Sequence, residues 1–184
     1  MEQGRDPKKN GRAEISEKIR RMALMGLLFA MALVLAAVEN QIQIPVSVPG
    51  VKLGLSNIVV MYSLFFVEKR GAVLLAVLKA LFVFLTRGAV AAFLSLCGGL
   101  LSVLAMAVCL WIFKEKISYF MVSVIGAVCH NAGQVLAISL IYTNISLLVY
   151  FPLLLISGIA AGAATSVLLR VTMPALKRIG PGKP

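Results

Sequence analysis

Residues 22–38 read Met22-Ala23-Leu24-Met25-Gly26-Leu27-Leu28-Phe29-Ala30-Met31-Ala32-Leu33-Val34-Leu35-Ala36-Ala37-Val38, with Arg21 before them and Glu39 after. No polar side chain interrupts the run. A membrane helix needs roughly 20 apolar residues, with a lower limit near 17, so this segment is long enough to cross the hydrocarbon. Working outward, similar apolar runs follow at 53–67, 72–86, 89–113, 118–141 and 146–169. Their breaks are Glu39–Lys52, Glu68-Lys69-Arg70-Gly71, Thr86-Arg87-Gly88, Lys114-Glu115-Lys116 and Tyr142-Thr143-Asn144. The pattern predicts an all-α integral membrane protein built as a six-transmembrane-helix bundle. The second and third runs are short. They either borrow flanking residues or form a re-entrant pair, which would lower the span count.

Composition agrees. Of 184 residues, 60% are hydrophobic and 14% charged, and mean hydropathy is +0.97. A soluble domain is about half apolar and a quarter charged. The lipid bilayer is therefore the expected partner, and a secreted disulfide scaffold, a nucleic-acid-binding domain and a soluble enzyme are excluded. The net charge of +11 is a topology signal rather than a nucleic-acid footprint. All but three of the eighteen basic residues fall in segments that share one side under the six-span count. The exceptions are Lys52 and Arg87 in outer loops and Lys79 within a span. This positive-inside bias puts both termini in the cytoplasm, with the chain multi-pass in the cell membrane. The long basic region before the first run argues against a cleaved signal peptide. The expected organisation is a flexible basic arm at 1–21, one membrane domain at 22–175 and a short cytoplasmic tail at 176–184.

Several features bear on function. The segment from Glu39 to Asn57 carries Pro45, Pro49, Gly50 and Gly54 and brings Lys52, Ser56 and Asn57 to the start of the second run. It reads either as an ordinary outer hairpin or as a loop closing over a ligand cavity. Lys79 sits mid-span, where an ammonium costs about 2.5–3.5 kcal/mol on insertion scales. It either faces a cavity or partner or snorkels outward toward Arg87. Glu39 is the acid available to pair with Lys79, Lys52 or Arg87. On the fifth run, Ser123, Ala127, His130, Gln134 and Ile138 recur at helical spacing, with Asn131 adjacent. His130, Asn131 and Gln134 therefore face the bundle interior, either contacting a ligand or holding helices together.

Small residues mark close helix approach in Gly26-xxx-Ala30, Ala32-xxx-Ala36, Gly158-xxx-Gly162-xxx-Ser166 and Gly98-Gly99. Cys97, Cys109 and Cys129 have neither zinc-site nor redox spacing and read as buried small hydrophobes. No metal site or cofactor is expected. There is no phosphate-binding Gly-Lys-Ser/Thr loop, and the single aspartate, Asp6, lies in the basic arm. Clustered carboxylates for Mg²⁺-diphosphate are missing, so the chain is not expected to be an enzyme.

With Glu39 and the His130-Asn131-xx-Gln134 cluster, the run Pro49-Gly50-Val51-Lys52-Leu53-Gly54-Leu55-Ser56-Asn57 resembles the Gx transporter family, also called heptaprenyl diphosphate synthase component I. That family looks related to the substrate-binding S components of energy-coupling factor (ECF) transporters. The resemblance covers about residues 22–175. It implies a six-helix S-component-like bundle that captures a small solute such as a vitamin or precursor. The solute site would draw on Glu39, Lys52, Asn57, Lys79, Arg87, His130, Asn131 and Gln134. It also implies a transmembrane coupling subunit and ATPases docked on the first helix, where Ala32 and Ala36 match the family's small-residue face and Gly26 and Ala30 form a second one. The alternatives are a non-catalytic membrane accessory subunit of a heptaprenyl diphosphate synthase and a solitary small permease. A groove lined by large apolar side chains would favour the accessory subunit over a closed polar pocket.

Overall fold

The computed structural model describes residues 7–41, 56–113, 117–142 and 151–179. These form six helices: α1 (Pro7–Gln41), α2 (Asn57–Phe66), α3 (Lys69–Arg87), α4 (Ala89–Phe113), α5 (Tyr119–Tyr142) and α6 (Phe151–Ile179). No strand occurs among the described residues. Among the described residues three segments are long and apolar enough to cross a membrane: Ile15–Val38, Ala89–Phe113 and Tyr119–Ile141. A shorter apolar stretch, Leu155–Val171, lies within α6.

α1 extends well before the apolar run and begins at Pro7. Proline suits a helix's first turn, and the Lys, Arg and Glu residues that follow are good helix formers. Part of the stretch expected as a flexible arm is thus continuous with the first span. Arg21 and Glu17, a turn apart and both exposed, form an ion pair at 3.1 Å.

The second apolar run takes an unexpected form. α2 has ten residues, so it rises roughly 15 Å, about half the hydrocarbon thickness. Every position from Ser56 to Leu64 is buried. A helix apolar on all faces belongs in a core, and α2 contacts each of the other five helices. It is the centre of the bundle. Tyr62, Met61 and Val59 pack there with Leu28 of α1, Leu75 of α3, Met106 of α4, Val122 of α5 and Leu169 of α6.

Successive helices join tightly. Val67 and Glu68 both donate backbone N–H bonds to Ser63 O at 3.0 Å, which closes the α2–α3 corner. Gly88, the sole residue between α3 and α4, has φ +85° and ψ 179°, a region nearly confined to glycine. α4, α5 and α6 then pack through glycines. A Cβ on Gly133 of α5 would meet Cys97 O and Gly98 Cα of α4, each at 2.9 Å. A Cβ on Gly162 of α6 would lie 2.5 Å from Val124 Cα of α5. The Gly158-xxx-Gly162 stripe is therefore an internal seam, as close backbone approach between apolar helices requires.

Much of the outer surface is apolar, with Val34, Leu85, Trp111, Leu140, Ile156 and Val171 all exposed, while Asn57, Lys79, His130, Asn131 and Gln134 lie inside. This arrangement suits a hydrocarbon solvent, in which polar groups must find partners within the bundle.

Candidate functional site

Many of the buried polar side chains gather toward one level of the bundle. A Cβ on Gly71 would meet the Ser63 hydroxyl at 3.0 Å, which fixes the register of the antiparallel α2–α3 hairpin. Two turns from that contact, backward on α2 and forward on α3, stand Ser56 and Lys79. On α4, Gly99 faces Ala76 of α3 at 3.4 Å, so Ser95 comes level with Lys79. The α4–α5 contact continues the layer: a Cβ on Gly98 would lie 2.7 Å from His130 O and 2.9 Å from Gln134 Cγ. On the inner face of α2, Ser123 Oγ of α5 donates to Met61 Sδ at 3.2 Å. Asn57 is one turn further along that face. Asn131 Nδ2 donates to Ser157 Oγ of α6 at 3.3 Å. Five helices thus contribute polar groups to one layer.

Lys79 is 8% exposed, so it lies inside the bundle rather than on its lipid face. Asn57, His130, Asn131 and Gln134 are likewise buried. Arg87, at the end of α3, is exposed and two turns from Lys79, outside the layer. Glu39 belongs to the last turns of α1, but its side chain, like Lys52, lies outside the described residues. Among the described residues no group of three or more His, Cys, Asp or Glu side chains is placed to hold a metal.

The layer has unfilled hydrogen-bonding capacity. Ser56 Oγ, Asn57 Nδ2, Ser102 Oγ and Gln134 Oε1 are buried without a hydrogen-bond partner among the described residues. Each such group costs about 1–3 kcal/mol if nothing satisfies it. Ser102 escaped the sequence reading. Its signal was the small-residue stripe Ser95, Gly98-Gly99 and Ser102 at helical spacing on α4.

The first helix separates its two small-residue pairs. Ala32 and Ala36 are buried, Ala32 within the central core, so the bundle itself covers that face. Gly26 and Ala30 are exposed. Ala30 also borders a feature that no local pattern announces, a half-open cavity of about 330 Å³ between α1, α2 and α6. Leu28, Met31, Val34 and Leu35 form the α1 wall, Ile58, Val59 and Tyr62 the floor, and Leu168 the opposite wall. The lining surface is almost wholly apolar.

The family model described as heptaprenyl diphosphate synthase component I matches residues 28–172. No curated protein and no solved structure matches the chain.

Proposed function

We propose that this chain, which belongs to the heptaprenyl diphosphate synthase component I family, is a non-catalytic membrane subunit that holds an isoprenoid chain for a partner prenyl synthase. The carrying observation is the half-open apolar cavity over α2, lined on three sides by aliphatic and aromatic carbon. Burying a hydrocarbon tail there gains roughly 25 cal/mol per Å² of apolar surface removed from water, and a tail arriving from an aqueous enzyme gains most. The chemistry of chain extension belongs to the partner. Metal-diphosphate enzymes need clustered carboxylates, and this sequence has one aspartate, Asp6. The basic residues at the ends of the apolar runs support a multi-pass chain in the prokaryotic cytoplasmic membrane with both termini inside. Placement of all six apolar runs as spans belongs to the same reading.

A second reading is favoured by the polar layer: a solute-binding subunit of an energy-coupled importer, with Lys79, His130, Asn131 and Gln134 facing the solute and a coupling protein with ATPases supplying the drive. One experiment separates the two. The chain is purified in mild detergent from its native membrane, and co-purifying proteins are identified by mass spectrometry. The first reading expects a soluble prenyl synthase subunit. A transmembrane coupling protein with ATPases establishes the second instead, and a chain that emerges alone sinks both.

A further inference from the structure

The polar layer has a chemical sign. α2 starts inside the bundle, and its cap residue Ser56 makes no side-chain hydrogen bond to the first turn. The orphan N–H groups of a helix N-terminus carry partial positive charge and favour anions. Two further observations converge on this end. Asn57 Nδ2, on a side chain only 7% exposed, is a donor with no hydrogen-bond partner among the described residues, and Ser56 Oγ beside it is equally unmatched. The hairpin register also brings the buried residue Lys79 level with Ser56. At this end of α2 the aligned backbone donors and Asn57 Nδ2 lie in a low-dielectric setting, where hydrogen bonds from charged or aligned donors are strong.

We propose that the N-terminus of α2, with Ser56, Asn57 and Lys79, binds a small oxyanion, a carboxylate or phosphate group, inside the bundle. Gln134 Oε1, an acceptor without a partner, takes a hydroxyl or amide hydrogen of the same ligand. The site faces the interior, away from the apolar cavity: Ile58, Val59 and Tyr62 line that cavity, and helical geometry sets Asn57 on the opposite side of α2. The inference extends the solute-binding reading to the chemistry of the solute and rests on it, but concerns binding alone and stands whether or not an ATPase drives uptake.

The test uses the full chain in nanodiscs of neutral phosphatidylcholine, with radiolabelled acetate and inorganic phosphate as probes. Saturable binding of at least one is expected, competed by its own unlabelled salt and unaffected by chloride. The preferred probe tells a carboxylate solute from a phosphate group. Asn57→Leu and Lys79→Met should each weaken binding about tenfold or more, the loss expected for a hydrogen bond to a charged group. Lys79→Arg should restore part of it. Monodispersity and thermal midpoint confirm that each variant is folded. If a variant fails to fold, Ser56→Ala, which removes only a hydroxyl, gives the same reading with a smaller loss. Absence of saturable binding of either probe, or equal binding by folded Asn57→Leu and wild type, overturns the proposal and leaves water as the occupant. Failure of the importer reading shows separately, as oxyanion binding by a chain with no ATPase partner.

Discussion

Gly98 and Gly133 face each other across α4 and α5 so closely that a Cβ on Gly133 would sit 2.9 Å from Gly98 Cα, and one on Gly98 would sit 2.7 Å from His130 O. Neither obstacle is the mobile end of a side chain. The two backbones have no room to part without moving His130 and Gln134, so this contact holds the polar layer as well as the seam. Gly98→Ala and Gly133→Ala should each destabilise the bundle by about 1–3 kcal/mol, the usual range for overpacking. Gly26, with open space around it, is the control: Gly26→Ala should be neutral or stabilise by up to about 1 kcal/mol, because alanine favours the helix. Thermal unfolding in one detergent compares all three, and equal midpoints would refute the close seam.

At Gly88 the constraint is conformational, since nothing lies within 4 Å of its would-be Cβ. Its φ of +85° with ψ of 179° falls outside the left-handed helical well that asparagine tolerates. Gly88→Ala and Gly88→Asn should therefore both cost about 1–3 kcal/mol. Recovery with asparagine in the same unfolding assay would show that this corner adopts a different backbone.

The parts of this architecture written in local pattern were legible in the sequence. α4 spans 89–113 as read because Arg87-Gly88 and Lys114 bracket an unbroken apolar run. His130 and Gln134 face inward because helical spacing puts them with Ser123 and Ala127, and all four are buried. The central position of α2 was not legible. A short apolar run is the same string whether it crosses the bilayer or fills a core. Nor was the apolar cavity, which exists because α1, α2 and α6, far apart in the chain, meet around a gap. Helix formation ahead of the first apolar run was missed because charge, read as a solvated arm, is compatible with strong helix propensity.

If the cavity holds an isoprenoid tail, filling it should block that tail. Ala30 is exposed at its edge, and Ala30→Trp would place an indole there without disturbing the core. Ala23, exposed on the same helix outside the cavity, provides Ala23→Trp as the matched control. With a photoreactive farnesyl diphosphate analogue, wild type and Ala23→Trp should crosslink at α1, α2 or α6 and Ala30→Trp should lose most of the product. Equal labelling of all three would remove the cavity from the account.

The length of α2 makes topology the sharpest remaining test. Ten residues rise about half the hydrocarbon thickness, yet the charge distribution needs Lys69 and Arg70 on the opposite side from Lys52 and Arg87. With Cys97, Cys109 and Cys129 replaced by alanine, single cysteines at Lys52, Lys69, Arg87 and Lys116 can be probed with a membrane-impermeant maleimide on intact cells. The six-span reading expects labelling of Lys52→Cys and Arg87→Cys from outside, and of Lys69→Cys and Lys116→Cys only after permeabilisation. If α2 and α3 instead form a re-entrant pair, Lys52→Cys and Arg87→Cys still label from outside, while Lys69→Cys stays protected even after permeabilisation because the corner at Glu68 never reaches the far side. Labelling at Lys69 therefore decides whether the short central helix completes a crossing or turns back within the bilayer.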